Sequence, residues 1–410
     1  MIKKYIVIFG FLLLPGLGFS QSIYSSIGLG EMTLPSTTRA AGMGIQGVAL
    51  EDFNEISLIN PALWYLPRLT GLTLEFQSSN YNFSSGHNNY SEFDGFNFHF
   101  PVAGRLGIAL GFSPYTYVGY NFEREGNQSV LASTSISDTV RYSSTQSGSG
   151  GVGAGFAGIG WLITDKLSIG ASISVLIGQI DVNQRFQVTE PDDYISRSIS
   201  SVSSVYGSNV VLGASYRSLF RENDNLGFRA EIPLSLLIRR EDDYLTGAVD
   251  TTEISDLLWP YQFSAGYTLN VTSRWRTAIE ASYWLPEDDL TGYVFDSKQF
   301  DLASALRLGL GMEYRFSLDP DAWWDRLSWR TGIRYNQFLE SIAGGEQPTG
   351  LEWVGGVGVP FNQGMNRLDV SFFVGQRSGP TDAFIDETRA GVQIGITVSE
   401  PWFRGGIRNN

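Results

Sequence analysis

The chain has 410 residues, a formal net charge of -14, no Cys, and 17% charged against 13% aromatic residues. Without Cys there is no disulfide framework, no thiolate metal site and no acylated lipoprotein cysteine. An acidic chain of this kind binds nucleic acid poorly, so no nucleic-acid partner is expected.

Residues 1–20 read as a secretory signal. Lys3 and Lys4 form a charged n-region, residues 5–14 an apolar h-region, and Gly18-Phe19-Ser20 a small-x-small site before Gln21. The apolar run is too short to span a bilayer comfortably. Beyond it there is no long apolar run for a spanning helix.

Residues 21–69 show no sustained period of two. They hold Gly28-Leu29-Gly30, Arg39-Ala40-Ala41-Gly42-Met43-Gly44, an acidic patch at Glu51, Asp52 and Glu55, and Asn60-Pro61-Ala62-Leu63. Such a segment reads as turns and short helices, and ahead of a barrel it is most simply a plug in the lumen.

From residue 70 onward the pattern changes. In 261–271, Tyr261, Phe263, Ala265, Tyr267, Leu269 and Val271 alternate with Gln262, Ser264, Gly266, Thr268 and Asn270. Period two is a strand with two unlike faces. The pattern recurs in about fourteen candidates, with Trp and Tyr near their ends. Short connections such as 102–104, 164–165 and 272–273 alternate with long ones at 121–148, 187–201, 239–258 and 286–299. Short periplasmic turns and long outer loops are the arrangement of an outer-membrane barrel. The fold class is therefore all-β: a transmembrane antiparallel barrel over 70–405, with an N-terminal plug over 21–69. A soluble sandwich would need neither the alternation nor apolar outer faces on every strand.

The register follows from the cost of placing charge on the lipid side, about 2–4 kcal/mol each at midplane. Over 226–238 the outward set is Leu226, Phe228, Ala230, Ile232, Leu234, Leu236 and Ile238, with Arg229 and Glu231 inward. Arg276 and Glu280 point inward from one strand, Arg307, Glu313 and Arg315 from a second, and Arg330 and Arg334 from a third. This lumen ladder reads either as a salt-bridge network that stiffens the wall and docks the plug, or as a selectivity surface for an anionic ligand. The third strand runs Leu106, Ile108, Leu110 and Phe112 outward and breaks at Ser113-Pro114-Tyr115. Pro cannot donate to a ladder, so it marks a bulge or a gap.

Enzyme signals are weak. The two His are His87 and His99, and there is no G-x-S-x-G, paired-His or phosphate-loop motif. No enzyme activity, cofactor or metal is expected.

Gly42-Met43-Gly44, the stretch Ala49-Leu50-Glu51-Asp52 and Asn60-Pro61-Ala62, placed just before the first strand, resemble the FadL-type outer-membrane transporter family. The likeness covers essentially the whole chain after the signal. It departs from the family at Leu63 and Trp64, where small residues are usual, and at Trp402-Phe403, which seven residues follow. The resemblance implies uptake of hydrophobic small molecules or lipids, of long-chain fatty acid or hydrocarbon type. Release would be lateral, through a gap shaped by Ser113, Pro114 and Tyr115 and flanked by Asn60, Pro61 and Ala62. It implies a monomer in the outer membrane of a Gram-negative bacterium. The competing reading resembles the FadL-fold subunit that works with the type IX secretion machinery, with a protein partner at the extracellular mouth.

Overall fold

In the computed structural model, the described residues are 22–26, 28–33, 35–83, 86–133, 136–190, 196–244, 249–287, 300–316, 323–342, 346–379 and 386–401. The signal at 1–20 and the Trp402-Phe403 end lie outside them.

Eighteen strands are described. They are β1 (Glu31–Met32), β2 (Thr70–Phe83), β3 (Gly86–Ala103), β4 (Leu106–Ser133), β5 (Ile136–Leu162), β6 (Leu167–Glu190), β7 (Ser196–Arg217), β8 (Asp224–Tyr244) and β9 (Val249–Leu257). They continue with β10 (Tyr261–Asn270), β11 (Trp275–Leu285), β12 (Phe300–Leu302), β13 (Ala305–Arg315), β14 (Ser328–Gln337), β15 (Glu340–Ile342), β16 (Thr349–Phe361), β17 (Asn366–Ser378) and β18 (Glu387–Glu400). Fourteen of these form a ring in the order β2 to β8, β10, β11, β13, β14, β16, β17, β18. The ring closes where β18 pairs antiparallel with β2, from Glu400↔Thr70 to Glu387↔Phe83. Closure joins the first and last strands of the ring, so the wall has no open end to expose to lipid. Among the described residues no helix is long and apolar enough to cross a membrane.

The alternation read from the sequence is the alternation of the wall. On β11, Trp275, Ile279, Tyr283 and Leu285 are exposed, while Ala278, Glu280, Ser282 and Trp284 are buried. Exposed large apolar side chains of this kind suit hydrocarbon, and the inward row keeps the polar groups.

Two findings correct the sequence reading. First, the long connections 121–148, 187–201 and 239–258 are largely strand, while most of 286–299 lies outside the described residues. β4 and β5 run for 28 and 27 residues, and β6, β7 and β8 for 24, 22 and 21. About ten residues cross the membrane, so these five strands rise well beyond the apolar belt. There both faces meet water, the apolar alternation fades into Ser and Thr, and only the ladder persists. Second, Leu236 and Ile238 do not face lipid: they are 2% and 0% exposed. The β7–β8 register shifts between Ser208↔Ser235 and Asn209↔Pro233, leaving Leu234 as an extra residue. A one-residue bulge flips every later side chain to the other face. Beyond it, Leu236 and Ile238 join Tyr115, Val152, Leu176 and Val205 in an apolar cluster on the inward side, capped by Trp259 and Leu29.

The tall strands end opposite the short turns. A cysteine introduced at Asp250 should therefore label from outside intact cells, and one at Asp165 should not. Equal labelling at both positions would overturn this orientation.

Candidate functional site

The N-terminal segment supplies the other half of the interior. Helix α1 (Thr38–Ala41) is capped by Thr37, whose side chain accepts from the Ala40 amide. The turn Pro61–Leu63 is capped by Asn60, with Pro in the first position where no N–H is needed. Most of the segment's apolar residues are buried, including Met43, Ile45, Ile56, Leu63 and Trp64.

Ion pairs tie this segment to the wall. Arg39 on α1 donates through Nε (2.8 Å) and Nη2 (3.1 Å) to Glu313, and through Nη1 (2.6 Å) to Asp52. Arg330 donates to Glu313 (3.0 Å) and Asp369 (2.6 Å). Arg367 reaches Asp52 (2.7 Å) and lies 2.7 Å from Glu55. Burial alone would raise the Asp52 carboxyl, but Arg367 and Arg39 outweigh it and hold it well below the usual carboxylate range. Glu55 is pushed up to about 7 by burial, against the pull of Arg367.

The sequence-derived ladder is brought together only in part. Glu313 is its centre, with Arg330 paired, Arg315 at 3.2 Å and Arg276 at 3.9 Å. Glu280 instead accepts three backbone amides, from Gln46 (2.9 Å), Gly47 (3.0 Å) and Val48 (2.9 Å). Arg334 pairs with Glu352. Arg229 pairs with Glu231, which also accepts from Tyr115 (3.1 Å). The acids of the segment do not pair with Arg307, Arg315, Arg330 or Arg334. Glu51 pairs with Arg217, and Asp52 with Arg39 and Arg367. Arg367 and Asp369 escaped notice although their i, i+2 spacing at the start of a strand signals a shared inward face.

Asn60-Pro61-Ala62 docks on β5, β6 and β7. The Asn60 side chain donates to the Val48 carbonyl (2.6 Å). Three inward glycines make room: a Cβ at Gly160 or Gly170 would overlap the Pro61 carbonyl, and one at Gly213 the Asn60 side chain. Gly170→Ala should lower thermal stability by about 1–3 kcal/mol, because backbone rather than a flexible side chain would have to yield. An unchanged melting temperature would show that this contact is not close-packed.

Ser113-Pro114-Tyr115 lies elsewhere on the wall, where Ser113 pairs with Ala154 and Pro114 with Gly153 of β5. The structure does not bring it together with Asn60-Pro61-Ala62. Pairing between β3 and β4 starts at Ala103↔Leu106 and stops at Phe96↔Phe112. Beyond that point β4 meets β1 instead, through Met32↔Thr116 and Glu31↔Tyr117. Thr33 extends the contact, its amide donating to Tyr115 O (2.9 Å) and its hydroxyl to Pro114 O (2.6 Å). The break falls where two irregularities meet. β4 bulges between Pro114 and Thr116, and β3 shifts register at Glu75/Phe76, with Gly95 at a φ of +122°.

The strap that crosses this break is anchored at both ends. Ser22 donates to Glu387 (2.8 Å), and Arg377 lies 3.3 Å from Glu31. The Arg377 guanidinium is sandwiched between the rings of Tyr24 (3.6 Å) and Phe338 (3.5 Å). Behind the strap a cavity of about 120 Å³ separates the N-terminal segment from the wall. Met32 and Tyr117 line it at the break, and Arg307 and Trp284 line it on β13 and β11.

This geometry is a closed fourteen-stranded wall with a buried N-terminal segment, a break in one ladder and a cavity behind it. The family model that matches the chain is described as BamG and covers residues 1–406. The chain belongs to the BamG family. Solved structures of the same fold include CymD, a monoaromatic hydrocarbon channel, with 14% identity and a TM-score of 0.60 over 90% of this chain and 99% of that one. The toluene transporter TbuX of Ralstonia pickettii has 13% identity and a TM-score of 0.58 over 90% of this chain and 99% of its own. A FadL homologue of Pseudomonas aeruginosa has 13% identity and a TM-score of 0.59, covering 90% and 98%. No curated protein sequence matches. This BamG-family chain thus has the FadL-type barrel, and the solved neighbours are channels and transporters rather than enzymes.

Proposed function

We propose that the chain is a Gram-negative outer-membrane channel, a monomer, for uptake of hydrophobic small molecules or lipids of long-chain fatty acid or hydrocarbon type. Residues 21–69 act as its plug. The observation that carries this reading is the loss of β3–β4 pairing beyond Phe96↔Phe112, with the cavity reaching the break at Met32 and Tyr117. An apolar molecule gains nothing from a water-filled pore and gains about 25 cal/mol per Å² on entering hydrocarbon. A sideways exit beside β4, shaped by Ser113, Pro114 and Tyr115, supplies that path. Asn60-Pro61-Ala62 serves it indirectly, by fixing the plug against β5 to β7. Solvent extraction of the purified protein should release a hydrophobic compound detectable by mass spectrometry. Its absence, together with no uptake of any hydrophobic compound by cells, would remove the reading.

The rise of β4 to β8 beyond the apolar belt favours the second reading, a barrel that holds a protein partner at its outer mouth. Shortening the β4–β5 tip would then abolish a protein complex and leave small-molecule uptake intact.

A further inference from the structure

The end of the β3–β4 ladder leaves a sheet edge that the channel reading does not use. In a strand the N–H and C=O of one residue point to the same side, and the side alternates along the chain. On β4 the odd residues turn theirs away from β5. The Tyr115 carbonyl accepts from the Thr33 amide (2.9 Å). Gly119 accepts from the Ser25 hydroxyl (3.2 Å) and donates to it (3.1 Å). The next residues on that side are Asn121, Glu123 and Glu125. They lie opposite Ser147, Thr145 and Ser143 of β5, but among the described residues no strand meets them from the other side. At this height β3 pairs with β2 alone, from Phe93↔Phe76 to Gly86↔Phe83.

The level of this edge explains why it stays open. β4 starts at Leu106 beside a periplasmic turn, and about ten residues cross the membrane, so residues 121–125 stand above the apolar belt. In hydrocarbon their backbone groups would each need a partner, whereas in water they are solvated. An edge of this kind is a template for a further strand. β1 already uses it in this way one step lower, where Glu31 and Met32 lie beside Tyr117 and Thr116.

The two faces of β4 set the chemistry of what can be added. Val118, Tyr120 and Phe122 join the interior apolar cluster, and the rings of Tyr120 and Phe122 stack at 5.1 Å. Asn121, Glu123 and Glu125 are exposed on the opposite face. Arg141 takes Glu125 (3.3 Å), so Glu123 is left without an ion pair among the described residues. A strand laid here places alternate residues beside Tyr120 and Phe122, and the others beside Glu123. Apolar residues alternating with polar ones that include Lys or Arg fit both rows. A second copy in the same membrane would bring Glu123 and Glu125 to their own counterparts, and like charges side by side oppose pairing.

We propose that the upper edge of β4 docks an extended segment of a partner protein, which adds a strand along residues 121–125. This mode of docking rests on the second reading, a protein partner at the outer mouth, and names how that partner is held.

The test titrates the full chain in neutral detergent with the capped peptide Val-Lys-Val-Thr-Val-Lys-Val. Its analogue methylated on every second backbone nitrogen cannot donate along one edge, and it should bind about tenfold more weakly or worse. Glu123→Pro removes an N–H that points away from β5, so the barrel should fold normally and lose about tenfold or more of the affinity. Glu123→Gln keeps that N–H and should lose no more than about threefold. The chain has no Cys, so Asn121→Cys, Glu123→Cys and Glu125→Cys can each be cross-linked to peptides carrying one cysteine. The preferred peptide position should shift by two residues at each step, whatever the behaviour of the Pro variant. No binding, equal affinity for the methylated analogue, or cross-links without that order would overturn the proposal. In cells, a photo-crosslinker at Asn121 should capture a different protein, and Glu123→Pro should abolish the capture. Capture of a second copy of this chain would overturn the partner. Capture that survives Glu123→Pro but is lost on shortening the β4–β5 tip would overturn strand addition and leave the second reading standing. No capture at the edge or at the tip would remove both.

Discussion

Replacing Ser113-Pro114 by Thr-Val should cut uptake of a hydrophobic compound by roughly tenfold or more, with the barrel still folded. Pro114 offers a carbonyl but no N–H, and it sits where β4 parts from β3. Its carbonyl is taken by the Thr33 hydroxyl, so at present the edge is covered only by a short strap of the N-terminal segment. A residue with an N–H and a β-branched side chain favours a straight, fully paired strand. It removes the reason for the bulge between Pro114 and Thr116 and lets the β3–β4 ladder extend past Phe112. The exit would then narrow or close. Because β4 keeps its long pairing with β5, the wall itself should survive, and heat-modifiable migration on gels should be normal. Unchanged uptake in a normally folded variant would end the lateral-release mechanism and move the protein-binding reading ahead.

What the sequence discloses is the part of the fold that lies in lipid. There one face must be apolar, a misplaced charge is heavily penalised, and period two becomes visible, as in Tyr261–Asn270. Above the membrane that constraint vanishes, so Ser196–Arg217 shows its alternation only in its lower part although the pairing continues to Gln187↔Ser196. Bulges are the second blind spot. The flip of Leu236 and Ile238 to the interior depends on which residue beside Pro233 is left unpaired, and the alternation over 226–238 runs on without a sign of it. The site divides in the same way. Glu313 and Arg330 were legible as inward charges because they share strand periodicity with apolar neighbours. Their link to Arg39 was not, because it joins residues 274 positions apart from a segment with no period to read. The same holds for the Glu31–Tyr117 pairing across the ladder break. A two-residue strand carries no alternation, and only the fold brings it beside Pro114.

Arg39→Ala should release the N-terminal segment and raise the leakage of small solutes through the barrel. Arg39 is buried at the junction of helix α1 with the wall and makes a bidentate pair with Glu313 and a third bond to Asp52. Taking one partner from a buried, hydrogen-bonded charge cluster costs about 3 kcal/mol or more, because the remaining charges lose their compensation. Two carboxylates would be left with fewer donors. Glu313 keeps Arg330 at 3.0 Å, and Asp52 keeps Arg367 at 2.7 Å. The first pair lies within the wall and supports folding of the ring, and the second still ties residue 52 of the segment to β17. They do not replace the grip on α1, which otherwise rests on Glu75 accepting from the Thr38 amide at 2.6 Å. The loss should therefore appear as a mobile segment inside a folded barrel. Cells carrying the variant should admit a large polar antibiotic that the wild type excludes, and the purified protein should melt earlier. Arg39→Lys keeps the charge but loses the fork geometry, and it should recover only part of both properties. If leakage and melting temperature both stay at wild-type values in Arg39→Ala, the ion network is not what holds the segment in place.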